Sequence, residues 1–304
     1  LLPLRYMKPR LFSITLAFCL LISIGFLGST SSAISAGHDP SHYTGRKGNV
    51  SGYYLGFRSL SEGMRNLRRP KDIPVTNDFM KNFYLDFLYA KQEFNEDWLP
   101  SGEIVEHELY GITLGFTLGD NPNLDIRIPI AAADFDVGGL DDTGAVMGIE
   151  FFPNYRINQY VAWGVKVAYT ESFSDFPVFD ESMSSAAFMV SAESSEAYGM
   201  NWSGRLSIGR YFPSNDINDD AFWLYRASLG LHYHLHKNFT LFPFMRYNIS
   251  TGESLIDSSW VEIGTEFIFM PNSPWNFSLG IAGVGHHNYI EHGLEFYFAS
   301  QRHF

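Results

Sequence analysis

The chain has 304 residues and is acidic, with 33 Asp and Glu against 21 Lys and Arg and a formal net charge of −12 at pH 7. That balance, with no basic face, argues against a nucleic-acid partner, and a single cysteine excludes a disulfide scaffold or a zinc-cysteine site. Aromatic residues make up 16% of the chain, yet no segment beyond residue 33 is long and apolar enough for a transmembrane helix.

The N-terminal stretch reads as a secretory signal peptide. Met7 is taken as the start, with residues 1–6 an upstream extension. Lys8 and Arg10 form a positive n-region, residues 11–28 are uncharged, and Ser31-Ser32-Ala33 suits cleavage after Ala33. Cys19 is followed by nine more residues of the apolar run, so it does not read as a lipidation site. Residues 34–304 then contain no cysteine.

Residues 34–80 differ in charge from the remainder of the chain. They carry seven Lys and Arg against four Asp and Glu, whereas 81–304 carries eleven against 29. Ser59-Leu60-Ser61-Glu62 reads as a capping box. Leu60, Met64 and Leu67 continue at helical spacing, and Pro70 stops the run. A short helix is expected over 60–69, presenting Arg65, Arg68 and Arg69. Two readings stay open for it: a basic plug docked inside an acidic barrel, or a solvated tail.

From residue 83 onward, apolar residues recur at every second position, as a half-lipid-facing strand requires. In 221–236 one face reads Trp223, Tyr225, Ala227, Leu229, Leu231, Tyr233, Leu235, and the other Leu224, Arg226, Ser228, Gly230, His232, His234. Aromatics bracket the aliphatics, the pattern of a lipid-facing stripe between two interfacial girdles. Similar stripes run through Tyr110 to Leu118, Val161 to Tyr169, Val261 to Phe269 and Trp275 to Ile281. Charges fall almost wholly on the opposite parity. A charge facing lipid at midplane costs about 2–4 kcal/mol, so the partition favours a membrane barrel over a soluble sandwich.

Eleven strands are expected near 83–93, 105–118, 123–133, 144–155, 160–172, 200–212, 221–236, 239–250, 259–270, 275–285 and 289–299. Bacterial barrels have an even count, short periplasmic turns and longer outer loops. A weak strand at 184–193 makes twelve. The short connections at 119–122, 156–158, 236–238 and 271–274 then share one side. The longer ones around 94–104, 134–143, 173–183, 213–220 and 251–258 share the other. The links 194–199 and 286–288 are exceptions.

The last strand carries Gly293-Leu294-Glu295-Phe296-Tyr297-Phe298, and the chain ends on Phe304. Gly293, Phe296, Phe298 and Phe304 are read as a barrel-assembly signal.

Candidate chemistry is sparse. Glu262, Glu266, Arg205, Arg226 and Arg246 should face the lumen, where they either set pore selectivity or brace the wall as pairs. His232 and His234 (with His236) alternate on a strand. They could reach one metal with Glu266, but the plainer reading is polar lumen lining, and no metal or cofactor is expected. Acidic outer loops (Asp134, Asp136, Asp141, Asp142; Asp216, Asp219, Asp220) could hold divalent ions against lipopolysaccharide. No GxSxG, outer-membrane hydrolase signature or phosphate-binding glycine loop is present, and an enzyme is not expected.

Twelve strands, a helix just before the first of them and a Gly-x-x-aromatic-x-aromatic last strand together resemble the autotransporter translocator domain, over roughly 57–304. The resemblance implies an outer-membrane barrel inserted by the barrel-assembly machinery with periplasmic chaperones, in contact with outer-membrane lipid and lipopolysaccharide. It departs from that family where the passenger would stand, since only about two dozen residues separate Ala33 from Ser59. No ligand residues carry over. The expected organisation is a signal peptide at 1–33, a basic segment at 34–80 and an all-β antiparallel transmembrane barrel at 81–304. A small passive uptake channel and, less readily, an outer-membrane hydrolase are the alternatives.

Overall fold

The computed structural model describes residues 80–94, 105–119, 121–137, 140–158, 160–174, 181–214, 221–252, 258–271, 273–286 and 290–303. The helix expected over 60–69, with Arg65, Arg68 and Arg69, lies outside them, as do Phe304 and the acidic residues Asp216, Asp219 and Asp220.

The described residues form twelve strands: β1 (Met80–Phe94), β2 (Val105–Leu118), β3 (Asn123–Val137), β4 (Leu140–Arg156), β5 (Val161–Ser174), β6 (Glu181–Glu193), β7 (Met200–Ser214), β8 (Phe222–His236), β9 (Phe239–Gly252), β10 (Ser258–Phe269), β11 (Trp275–His286) and β12 (Ile290–His303). Each pairs antiparallel with its sequence neighbours, and β1 pairs with β12 to close the barrel. Closure removes both sheet edges and satisfies the backbone, which a membrane demands because lipid offers no hydrogen bonds. Among the described residues no helix is long and apolar enough to cross a membrane.

The alternation in the sequence is the alternation of the wall. On β5, Trp163, Val165, Val167 and Tyr169 face out, while Ala162, Lys166, Ala168 and Thr170 are buried. The weak strand expected at 184–193 is β6, pairing Phe188 with Val165 and Ile208 on its two sides. Phe188 is exposed outward, and Ser185, Ala187 and Ser191 are buried inward.

Two expectations are corrected. The acidic stretch 134–143 is not a loop: β3 runs to Val137 and β4 starts at Leu140, so Asp134, Asp136, Asp141 and Asp142 belong to a paired hairpin, with Asp136 opposite Asp141. Backbone ladders continue past the point where an apolar stripe ends, because pairing needs only N–H and C=O groups. The connection left is the two-residue 138–139, shorter than the link 194–199 at the barrel's other end, so length does not sort the two ends cleanly. The second correction is His236. The register slips between His234 and His236, which puts His236 out of phase with the other two histidines. It is exposed, and its Nδ1 accepts a hydrogen bond from the Asn238 N–H.

The turns at the end where β1 starts and β12 finishes are built by specific residues. Tyr198 and Gly199 both have positive φ (57° and 72°) between the bridged pair Ala197 and Met200, a two-residue turn whose twist suits a hairpin. Asn121 ties one turn to the next: its Nδ2 donates to the Arg156 carbonyl (3.0 Å), and its Oδ1 accepts from the Arg156 N–H (2.8 Å).

Inward glycines let aromatic rings lie flat against the wall. A Cβ on Gly230 would collide with the Phe242 ring, and one on Gly115 would collide with the Tyr84 ring. These rings sit where another side chain would otherwise project, and they bring apolar bulk into a face that the sequence marks as polar.

Candidate functional site: the barrel lumen

All seven lumen candidates sit on the inward parity of their strands. The polar ones form a ladder on adjacent walls. Arg226 Nε on β8 donates to Asn248 Oδ1 on β9 (2.7 Å). Asn248 Nδ2 donates to Glu262 Oε1 on β10 (2.9 Å), and Arg246 Nη1 donates to Glu262 Oε2 (2.5 Å). Arg205 Nε donates to Ser191 Oγ (3.2 Å). Glu266 lies further along β10, fully buried.

Charges that were not singled out from sequence join them. Lys166 pairs with Glu150 (3.7 Å) and Arg127 with Asp125 (3.8 Å). Thr117 donates to Asp125 (2.6 Å), and the Arg127 guanidinium stands over the Tyr84 ring. The signal for them was present: Asp125 and Arg127 flank Ile126 on the inward parity, and Glu150 and Lys166 fall on it as well. Glu150 and Glu266 are 0% exposed, and Glu262 and Arg246 each 3%. A selectivity residue has to meet the permeating ion in water. The buried pairs Arg246–Glu262, Lys166–Glu150 and Arg127–Asp125 have the arrangement of wall braces.

The histidines are held in a second network. His234 Nδ1 lies 3.0 Å from Thr240 Oγ1, and its Nε2 lies 2.8 Å from Asn201 Oδ1. Asn201 in turn donates to the Glu193 carboxylate. His232 stacks beside His234 and over Phe242, with Ser203 Oγ 3.4 Å from its Nε2. Both ring nitrogens of His234 are therefore engaged. Among the described residues no three His, Cys, Asp or Glu side chains converge as a metal site.

The feature that sequence reading missed is apolar. Ala168 on β5, Met183 on β6, Tyr211 on β7 and Phe222 and Leu224 on β8 form a buried cluster on the inward face, and Leu88 packs against it. Leu88 belongs to β1, which stands six strands from β7 in either direction around the barrel. The contact thus spans the lumen. A barrel of eight strands is filled by its own side chains, and twelve strands enclose a wider space. Bulky side chains from opposed walls narrow it here. The local signal was weak, because an apolar residue on a polar parity reads only as a break in alternation.

Of the residues expected to form an assembly signal, Gly293, Phe296 and Phe298 lie at the closing seam. Gly293 pairs with Gln92 and Val284, Phe298 with Phe87 and Phe296 with Tyr89. Phe298 packs against Phe87 and Phe277, and Phe296 stacks on Tyr89.

No protein-family profile matches this sequence, and no characterised protein matches it in sequence. Solved structures match its fold. The β domain of the Bordetella autotransporter BrkA aligns with a TM-score of 0.58 at 10% identity, covering 75% of this chain and 100% of that one. The translocator domain of the autotransporter NalP from Neisseria meningitidis aligns with a TM-score of 0.55 at 9% identity, covering 84% and 98%. An outer-membrane channel from Pseudomonas putida F1 aligns with a TM-score of 0.54 at 10% identity, covering 78% and 100%. At these identities the likeness is one of fold: this chain's closed barrel resembles those of two autotransporter translocator domains and of an outer-membrane channel.

Proposed function

We propose that this chain is an integral outer-membrane barrel of the translocator type, non-enzymatic, with a lumen closed at rest. The contact of Leu88 with the apolar cluster of the opposite wall carries the closed reading. The paired, sealed charges support it. The end where β1 starts and β12 finishes faces the periplasm on this reading, as in other barrels of even strand count. Residues 1–33 are the export signal and 34–80 a basic segment ahead of the barrel, which the barrel-assembly machinery and periplasmic chaperones deliver to the membrane.

A non-enzymatic role fits the burial of the hydroxyl–histidine pairs of the lumen: Thr240 Oγ1, 3.0 Å from His234 Nδ1, is 1% exposed. Ser203 and His232 are 3.4 Å apart, longer than the hydrogen bond that activates a serine, and Ser203 is 0% exposed. Turnover of lipid A or phospholipid by the purified barrel would overturn this part.

Planar-bilayer recording tests the closed lumen. The full chain should give no steady conductance. A chain lacking 34–80 that conducts makes the basic segment part of the closure. One that stays silent leaves closure to the side-chain layer alone. Steady conductance by the full chain favours the second reading, a passive channel, which the likeness to the Pseudomonas channel supports.

A further inference from the structure

We propose that Arg210 with Trp223 and Phe212 forms a site for a lipid phosphate of the outer leaflet, the phosphate groups of lipopolysaccharide. The inference rests on the outer-membrane reading and assigns that membrane's lipid a contact on this surface. The outward face of β7 reads Trp202, Gly204, Leu206, Ile208, Arg210, Phe212. Its large apolar side chains are exposed and Arg210 is half-buried, while Tyr211 between Arg210 and Phe212 is buried. Phe212 lies ten residue steps beyond Trp202. At a rise of about 3.3 Å and a tilt of about 40°, that is roughly 25 Å, the height of the apolar band between the two aromatic girdles. Arg210 therefore stands just inside one girdle, on the end opposite the start of β1 and the finish of β12.

A guanidinium there costs little only if it reaches the polar boundary. The geometry takes it there. Its Cζ lies 5.2 Å from the Trp223 ring centroid and 6.0 Å from that of Phe212, and Trp223 is the residue paired with Arg210 across the ladder. The rings offer the guanidinium no acceptor oxygen, so its N–H donors can serve an anion. Among the described residues no carboxylate forms an ion pair with Arg210. By contrast Lys91, another outward cation near this end, lies 3.3 Å from Glu108. A planar fork of donors, held by aromatic faces at headgroup depth, matches a phosphate with two parallel hydrogen bonds.

The test is native mass spectrometry of the purified full chain, folded in detergent micelles and titrated with bisphosphorylated lipid A. Heat-modifiable electrophoresis first shows that each variant has folded. The tightest lipid A adduct should weaken about tenfold in Arg210→Ala, which corresponds to about 1.4 kcal/mol. It should weaken less in Arg210→Lys, and Trp223→Leu should lower it as well. Arg302→Ala, which removes the guanidinium over Trp275 at the other girdle, should leave it unchanged. Equal binding by wild type and Arg210→Ala overturns the site. So does equal binding of dephosphorylated lipid A or phosphatidylglycerol, or an equal loss in Arg302→Ala. A wild-type chain that never shows a heat-modifiable band in detergent or lipid fails the outer-membrane reading itself, separately from this site.

Discussion

Arg246 Nη1 lies 2.5 Å from Glu262 Oε2, and the two residues are also directly opposed in the β9–β10 ladder. Both are sealed from solvent, so each charge is held inside the wall. Glu262→Ala takes a buried carboxylate away from a buried guanidinium and should destabilise the folded barrel by about 3–5 kcal/mol. The double variant Glu262→Leu with Arg246→Met should recover most of that loss. Urea unfolding in lipid vesicles, followed by tryptophan fluorescence, measures both. A single variant as stable as wild type would show the pair to be dispensable.

Gly230 lies beneath the Phe242 ring. Gly230→Val should cost about 1–3 kcal/mol through overpacking, and Phe242→Ala in the same chain should relieve the clash. Unfolding midpoints of the two single variants and the double variant decide it. Purely additive losses would mean that the ring and the glycine are not coupled.

Leu88 and Phe222 narrow the lumen from opposed walls. Leu88→Ala combined with Phe222→Ala should raise conductance above that of the wild-type chain, and more so when residues 34–80 are deleted. Recordings indistinguishable from wild type in both backgrounds would remove the apolar layer as the closure.

His234 has a partner on each ring nitrogen. Zinc or nickel should therefore stabilise the wild-type barrel no more than a chain carrying His232→Ala and His234→Ala. Thermal unfolding with and without each metal tests this, and a metal-dependent rise lost in the double variant would restore the metal-site reading.

Phe296 and Phe298 clasp β12 to β1. Aromatic pairs of this kind contribute about 0.5–1.5 kcal/mol each beyond their buried area. Phe296→Ala and Phe298→Ala should lower refolding yield into pure lipid vesicles, where no assembly machinery is present. A defect in cells without any defect in vesicles would assign the two residues to recognition rather than to seam packing.

What could be read from sequence was the part that depends on local geometry. The side chain of a strand alternates every residue, and a lipid-facing charge is costly. The inward placement of Glu262, Arg246 and His234 therefore follows from parity along single strands. The even strand count, with β6 as a member despite its serines and alanines, follows from closure. Strand ends were less legible: the hairpin through Val137 and Leu140 continues beyond the apolar stripe, because the ladder there is held by backbone groups that carry no side-chain signature.

Partnerships were not legible at all. Whether Glu262 meets Arg246 or an open channel depends on the register of β9 against β10. That Leu88 meets the cluster around Tyr211 and Phe222 depends on the closed circuit of twelve strands, which brings residues more than a hundred positions apart to one level of the lumen. Alternation is a property of one strand and is written in one stretch of sequence. Contact across a lumen is a property of the whole closed sheet, and only its tertiary closure decides which inward side chains face each other.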